Sequence, residues 1–403
     1  MNIRSNYNHT LYASYLGYIT QAIVNNFAPL LFLTFQRSYN ISLEKIALLV
    51  FINFGIQLLV DLLSTIFADR IGYRISIVSA HILSAAGLVG LGILPGLFSS
   101  HYAGLVAAVV LYAIGGGLIE VLVSPIVEAC PTERKSASMS LLHSFYCWGQ
   151  VLVVLGSTLF FTFAGISNWQ LLTFLWASIP LFNAFYFTMV PIGKLVEEEK
   201  GLSIRQLCSM KTFWVFMLLM VGAGASEMAM SQWASAFAEA GLKVSKTIGD
   251  LSGPCFFAVM MGISRVFYAK YSEKIELWKL MLGGSILCIF SYLLAVFAPH
   301  PSIALLALGL CGLSVSFFWP GTFSLASKGC PTGGTAMFAL LALAGDLGCS
   351  SGPALVGFVS GIFNNDLKNG LLAAIIFPLI MGFSLISYKR KFATKSAAQA
   401  GNS

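Results

Sequence analysis

The sequence predicts an all-α membrane protein with twelve transmembrane helices in two pseudo-symmetric six-helix bundles. Three observations support this fold class: the composition, the length of the apolar stretches and an internal repeat. Hydrophobic residues make up 57% of the 403 residues and charged residues only 10%, whereas a soluble domain carries roughly 25% charged residues. So few charges cannot cover the chain with a hydrated surface, so we expect much of that surface to face lipid.

Long apolar stretches recur along the chain. Stretches of about 20 residues or more fit helices that cross a bilayer core of roughly 30 Å. In lipid every backbone N–H and C=O needs a partner within the protein, which restricts spans to helices or closed barrels. The strict alternation of barrel strands is absent. The predicted helices, spans 1 to 12, cover residues 11–36, 43–68, 74–98, 102–128, 137–164, 168–190, 212–239, 246–270, 276–298, 302–327, 334–361 and 369–388.

The distribution of Lys and Arg predicts the orientation. Eighteen of the 23 lysines and arginines lie on the side of the termini, in the termini, the loops and the adjoining span ends, and five lie on the other side. Because cytoplasmic loops carry the excess of positive charge, we expect both termini to lie in the cytoplasm, with the chain in the cell membrane. The net charge of +7 therefore reflects topology and does not indicate a nucleic-acid partner.

The two halves of the chain share a short motif at an offset of 200 residues. Cys130-Pro131-Thr132 follows span 4, and Cys330-Pro331-Thr332 follows span 10. A parallel repeat of six helices predicts two bundles related by an axis along the membrane normal. We expect one bundle at 1–190 and the other at 211–390. A cytoplasmic linker at 191–210 joins them, and a cytoplasmic tail follows at 391–403.

The loop between spans 2 and 3 reads Asp69-Arg70-Ile71-Gly72-Tyr73-Arg74. It resembles the loop signature of the major facilitator superfamily, although Thr65 stands where that signature has its first glycine. The resemblance implies the major facilitator fold and secondary active transport of a small solute by alternating access. It also implies that Asp69, Arg70, Gly72 and Arg74 act at the gating interface.

A narrower resemblance involves spans 1, 4 and 5. The segment Gly115-Gly116-Gly117-Leu118-Ile119-Glu120, with Ser124-Pro125 after it, is similar to the fucose–proton symporter branch of this superfamily. Residues 141–149 and the pair Asn25-Asn26 look similar to the same branch. However, Pro29 occupies the position at which the sugar symporters carry an aspartate. The resemblance implies proton-coupled symport of a sugar-like solute, with the proton gradient as energy source and no bound cofactor.

Ionisable residues inside the spans are the candidates for proton coupling. Such a side chain costs at least ~2.5–3.5 kcal/mol at mid-helix, so it is expected to face a cavity or a partner. Glu120 is predicted to carry the proton, because removal from water disfavours the charged form of a carboxyl. Glu227 and His143 are further candidates. The alternatives are a structural carboxylate at Glu120 and a buried, hydrogen-bonded histidine at His143.

Other polar and aromatic residues in the spans are candidates for binding the solute. Span 7 carries a polar patch in which Trp233 could stack on an apolar or sugar ring. The alternative is a packed tryptophan beside a structural carboxylate at Glu227. Trp319-Pro320-Gly321 indicates a break in span 10, because proline removes a backbone hydrogen bond. The predicted binding residues are Gln21, Asn25, Gln150, Glu227, Gln232, Trp233 and Trp319.

Three charged residues are candidates for gating. Asp61 in span 2 and Arg265 in span 8 lie on helices that form the interface between the halves in the superfamily. Asp346, flanked by Gly345 and Gly348, could serve in gating or contact the solute.

Two other functions remain open: a proton-driven exporter of amphipathic compounds, and a membrane sensor or scaffold without transport. The charges within the spans argue against a scaffold. There is no Walker loop, nucleophile–base spacing or metal-ligand cluster, so we do not expect an enzyme or a metal site. The expected partners are the lipid bilayer and a small-molecule solute, and the chain is expected to be a monomer.

Overall fold

The computed structural model describes the backbone of residues 3–131, 135–193, 202–271, 276–330 and 332–400. It describes all their side chains except those of 64–70, 135–140, 269–271, 334–335 and 391–400. Within this part of the chain, twelve helical stretches are long and apolar enough to cross a membrane. The predicted number of spans is therefore confirmed.

Half of the spans are single α-helices, and the others contain a break or a turn of another helix type. The single helices are Leu43–Ile71 (span 2), Tyr73–Leu97 (span 3), His101–Glu128 (span 4), Lys135–Ala164 (span 5), Leu277–Phe297 (span 9) and Gly334–Ile362 (span 11). The others are Tyr7–Asn26, Ala28–Leu31 and Phe32–Tyr39 (span 1); Ile166–Asn168 and Trp169–Met189 (span 6); Lys211–Ala236 and Phe237–Gly241 (span 7); Lys246–Asp250, Leu251–Cys255 and Phe256–Tyr271 (span 8); Pro301–Val315 and Phe318–Gly329 (span 10); and Leu367–Ala374 and Ile376–Ala400 (span 12).

Prolines account for several of these irregularities. Pro29 lies in the 3-10 turn of span 1, and Pro254 lies in the π-helical turn of span 8. Each lacks the N–H that would bond the carbonyl four residues earlier. In span 10 the helix ends at Val315, ahead of the predicted break at 319–321. The break is displaced toward the N-terminus because the carbonyl that loses its partner lies four residues before Pro320.

The chain divides into two compact units. The first unit comprises Met1–Glu197 and Ala234–Val259, and the second comprises Glu198–Trp233 and Met260–Ser403. The end of span 7 and the start of span 8 thus group with the first six spans. The predicted bundles at 1–190 and 211–390 stay a prediction. Of the predicted linker, Ile204–Ser209 forms a short helix whose capping box pairs Ser203 with Gln206.

Glycines allow close helix packing inside each unit. In the first unit a Cβ on Gly87 of span 3 would lie 2.6 Å from Cβ of Tyr112 in span 4. In the second unit a Cβ on Gly348 of span 11 would lie 2.8 Å from the Ala225 nitrogen of span 7. Small residues at such crossings let helix backbones approach, which is how helices associate where lipid removes the hydrophobic driving force.

Large apolar side chains cover much of the outer surface. Phe163 is 86% exposed, Ile362 is 76% exposed and Leu97 is 72% exposed. Soluble monomers rarely expose apolar surface on this scale. Together with the twelve spans, this surface identifies a multi-pass membrane protein whose solvent is lipid.

Candidate functional site

Five polar side chains of the first unit form one hydrogen-bonded cluster across spans 1, 2 and 4. Gln21 Nε2 donates to Glu120 Oε2 at 2.8 Å and to Gln57 Oε1 at 2.9 Å. Gln57 Nε2 donates to Asn25 Oδ1 at 2.9 Å and to Asn53 Oδ1 at 3.0 Å. The four amides are at most 5% exposed, and Glu120 is half-buried. We call Gln21, Asn25, Asn53, Gln57 and Glu120 the carboxamide cluster.

The triple glycine of span 4 makes this cluster possible. A Cβ on Gly115 would lie 2.5 Å from the Ala80 carbonyl of span 3. A Cβ on Gly116 would lie 3.0 Å from Gln21 Oε1, and one on Gly117 would lie 3.0 Å from Gln57 Cα. Successive residues of a helix point about 100° apart, so the three glycines admit spans 3, 1 and 2 in turn. This close packing of the helices lets the amides of spans 1 and 2 lie next to Glu120.

Two members of the cluster, Asn53 and Gln57, were not predicted from the sequence. A signal was nevertheless present, because Asn53, Gln57 and Asp61 are spaced four residues apart in an otherwise apolar helix. Residues four apart share one face of a helix. Asp61 is partly exposed and continues this polar face one turn beyond Gln57.

Tyr18 and His143 lie beside the carboxamide cluster. The Tyr18 hydroxyl lies 3.3 Å from Ser124 Oγ, one turn after Glu120 on span 4. The His143 ring meets the Tyr18 ring edge-on, with 5.3 Å between centroids. His143 is exposed, so the alternative of a buried histidine is wrong. Gln150 lies two turns along span 5 and is 2% exposed.

The structure shows the surroundings of two of the four gating residues predicted in the loop after span 2. Gly72 has a φ of 92°, which favours glycine, and a Cβ there would meet nothing within 4 Å. The glycine is thus needed for its backbone conformation. Arg74 Nη1 donates to the carbonyls of Phe187 at 2.7 Å and Thr188 at 3.1 Å, and so caps the end of span 6. The side chains of Asp69 and Arg70 lie outside the described residues.

A second polar cluster of the first unit lines a cavity of about 310 Å³. Lys246 Nζ lies 3.0 Å from Asp250 Oδ2, and the Asp250 carboxylate also accepts from the hydroxyls of Ser235 and Thr158. Asp250 is fully buried. We call this cavity the span-end pocket. Its lining residues are Thr34, Arg37, Ser38, Thr158, Phe161, Ile166, Glu239, Lys246, Thr247 and Asp250.

Sequence reasoning did not find the span-end pocket. An ion pair between Arg37 and Glu239, at 2.6 Å, forms part of its lining. The available signal was the spacing of Lys246 and Asp250, which places opposite charges one helical turn apart.

In the second unit the polar patch of span 7 is buried. Trp233 is 0% exposed, and its indole N–H donates to the Pro353 carbonyl at 2.9 Å. The ring therefore packs against span 11. Gln232 is 2% exposed, and its Nε2 lies 3.9 Å from Met228 Sδ. Glu227 is 7% exposed.

The remaining predicted residues of this unit lie on spans 8, 10 and 11. Arg265 Nε donates to the Ser316 carbonyl at 3.0 Å. The Trp319 ring lies against Gly345, because a Cβ on that glycine would be 2.9 Å from Trp319 Cζ2. Asp346 follows Gly345 and is 5% exposed.

The repeated motif after spans 4 and 10 begins with a buried cysteine in each unit. Burial raises the pKa of the Cys130 thiol to about 11, so this thiol stays protonated at neutral pH. Its Sγ lies 3.3 Å from the Ile126 carbonyl. Cys130 and Cys330 therefore pack as small apolar residues at the ends of their spans.

Twelve spans that enclose buried, hydrogen-bonded polar clusters define a polytopic membrane transport protein. The chain belongs to the Major Facilitator Superfamily, whose sequence profile matches residues 14–353. It is therefore a transporter and not an enzyme. No curated protein sequence matches the chain.

Solved structures share the fold. A D-xylose–proton symporter superposes with a TM-score of 0.75 at 16% identity, covering 94% of this chain and 95% of the other. A bacterial homologue of the human lysosomal transporter Spinster, inward-facing and unoccupied, gives 0.76 at 15% identity, covering 96% and 98%. The E. coli fucose:proton symporter gives 0.64 at 16% identity, covering 94% and 98%. At these identities the comparison shows a common fold.

Proposed function

We propose that the protein is a proton-coupled symporter of a small, neutral, sugar-like solute. The observation that carries this proposal is the hydrogen bond between Gln21 and Glu120, which ties a carboxylate to four buried carboxamides. Carboxamides both donate and accept hydrogen bonds, as hydroxyl groups do, so the cluster matches a solute with several hydroxyls. Two of the structures that share the fold are proton symporters of D-xylose and of fucose, which agrees with this substrate class.

Protonation of Glu120 changes what the carboxamide cluster can bind. An ionised carboxylate only accepts hydrogen bonds, whereas a protonated carboxyl also donates one. Gln21 presents an N–H to Glu120 and so favours the ionised form. A proton on Glu120 therefore adds an O–H donor to the cluster, and the amides of spans 1 and 2 rearrange to supply an acceptor for it. Because those amides join three helices, the packing of the helices responds to the proton.

Coupling requires that proton and solute favour the same state. A ligand shifts a conformational equilibrium only by its difference in affinity for the two states. In the proposed cycle the occluded state forms when Glu120 is protonated and the solute holds the released amides. Either ligand alone leaves part of the cluster without hydrogen-bond partners, which is costly in a buried site.

Residues outside the cluster receive supporting roles. Glu227 and His143 are further proton-coupling candidates, and Gln150, Gln232, Trp233 and Trp319 further binding candidates. Asp61, Arg74, Arg265 and Asp346 are assigned to gating. We propose a monomer in the cell membrane with both termini in the cytoplasm, as the positive charges of its loops favour.

The test uses proteoliposomes with radiolabelled D-xylose and fucose as probes. Glu120→Gln keeps the side-chain shape and cannot release a proton. We expect it to exchange a probe across the membrane at the wild-type rate and to lose accumulation driven by a pH gradient. The matched control is Glu128→Gln, an exposed carboxylate two turns further along the same helix, which should accumulate normally. Intact accumulation by Glu120→Gln would contradict the proposal.

A further inference from the structure

The break in span 10 leaves one backbone carbonyl without its ordinary partner. In an α-helix the C=O of a residue accepts the N–H four residues later. For Ser316 that residue is Pro320, which has no N–H. Ser316 is fully buried, so water does not replace the missing donor. A buried carbonyl without a donor costs as much as a lost hydrogen bond, and another group is needed to satisfy it.

Span 8 supplies that donor. Arg265 Nε donates to the Ser316 carbonyl at 3.0 Å. The preceding residue also binds the break, because Ser264 Oγ donates to the Leu313 carbonyl at 3.2 Å and accepts from Ser316 Oγ at 2.7 Å. Two neighbouring side chains of span 8 therefore hold the break in its present geometry.

The break determines where Trp319 lies. Trp319 begins the second helical segment of span 10 together with Phe318. Its ring covers Gly345, which leaves no room for a side chain there. The next residue of span 11 is Asp346, which is buried. A change in the geometry of the break would thus move Trp319 relative to span 11, next to the buried Asp346.

We propose that Arg265 is a positioning residue that fixes the break in span 10 and, through it, the position of Trp319. Loss of the Nε donor leaves the Ser316 carbonyl unsatisfied, and the break then loosens. This inference concerns the second unit and goes beyond the proposed role of Glu120, which lies in the first.

Hydrogen exchange followed by mass spectrometry tests the proposal on the full chain in lipid nanodiscs. Arg265→Gln removes the donor, so we expect amide exchange in residues 314–323 to rise by about tenfold. Adding Pro320→Ala gives residue 320 an N–H that can bond the Ser316 carbonyl. The double variant Arg265→Gln/Pro320→Ala should therefore return exchange toward the wild-type rate. Unchanged exchange in the single variant, or no recovery in the double variant, overturns the proposal.

Further variants separate positioning from general stability. Lys328→Gln removes an exposed cation from span 10 itself and should leave that segment unchanged. If Arg265→Gln does not fold, Arg265→Lys keeps the charge without the Nε donor and should show a smaller rise. No rise in Arg265→Lys contradicts the proposal. No solute is used, so the outcome is independent of the proposed symport.

Discussion

Gln21 and Glu120 are joined by a hydrogen bond of 2.8 Å between the side-chain amide of span 1 and the carboxylate of span 4. The same amide nitrogen donates to Gln57 of span 2. One side chain thus uses both of its N–H groups to tie the ionisable residue to the rest of the carboxamide cluster. The cluster joins three helices of the first unit through buried polar groups, so variants that disturb it should change the stability of that unit.

Gln57→Leu should destabilise the first unit. Gln57 is 2% exposed and gives its amide hydrogens to Asn25 and Asn53. Removing it takes the Gln57 donor from Asn53 Oδ1 and one of two donors from Asn25 Oδ1, and a buried acceptor that loses its donor costs about 1–3 kcal/mol. The unfolding midpoint in detergent should fall relative to wild type. Gln170→Leu, a partly exposed glutamine at the start of span 6, should change it little. Equal midpoints for the two variants would show that the cluster does not stabilise the fold.

Gly115→Ala should be poorly tolerated. Its Cβ would lie 2.5 Å from the Ala80 carbonyl and 2.6 Å from the Ser84 nitrogen, both rigid backbone atoms of span 3. Overpacking of this kind costs about 1–3 kcal/mol or more. Gly96→Ala is the control, because a Cβ there meets nothing within 4 Å. The yield of monodisperse protein after detergent extraction should fall for the first variant only. Equal yields would mean that spans 3 and 4 do not approach this closely.

The ion pair of the span-end pocket should show strong coupling. Lys246→Met leaves the fully buried Asp250 carboxylate without its cation, at a cost of about 3–5 kcal/mol. Adding Asp250→Asn removes that charge, so the double variant should recover most of the loss. Thermal unfolding of both single variants and the double variant gives the coupling. Additive effects would show that the two charges do not interact.

Both termini should lie in the cytoplasm. A fluorescent protein that matures only in the cytoplasm should be bright when fused after Ser403. Alkaline phosphatase, which is active only outside, should be inactive at the same place. The basis is the excess of Lys and Arg on the side of the termini. An active phosphatase fusion would reverse the orientation.

The number and order of the spans could be predicted from the sequence because hydropathy and helix length are local properties. Several of their breaks follow from prolines, with a shift at Ser316 that hydrogen-bond geometry explains. The division into compact units does not follow the halves of the chain, since residues 234–259 group with the first unit. Such grouping depends on contacts between distant segments, which local patterns do not record.

The candidate site was predicted in part. Glu120, Gln21 and Asn25 were identified as polar residues in apolar helices, and they share one cluster. Asn53 and Gln57 were overlooked because amides are a weaker signal than charges. The environment of Trp233 could not be predicted, since its partner Pro353 lies 120 residues away on span 11.

Proton movement measured directly tests the central claim that Glu120 couples proton and solute. Proteoliposomes with a pH-sensitive dye inside are given D-xylose or fucose in weakly buffered medium without a pH gradient. The wild-type protein should acidify the interior as the probe enters. Glu120→Gln should give no acidification although it still exchanges the probe across the membrane, and Glu128→Gln should behave as wild type. Acidification by Glu120→Gln equal to that of wild type would place the coupling proton elsewhere and contradict the claim.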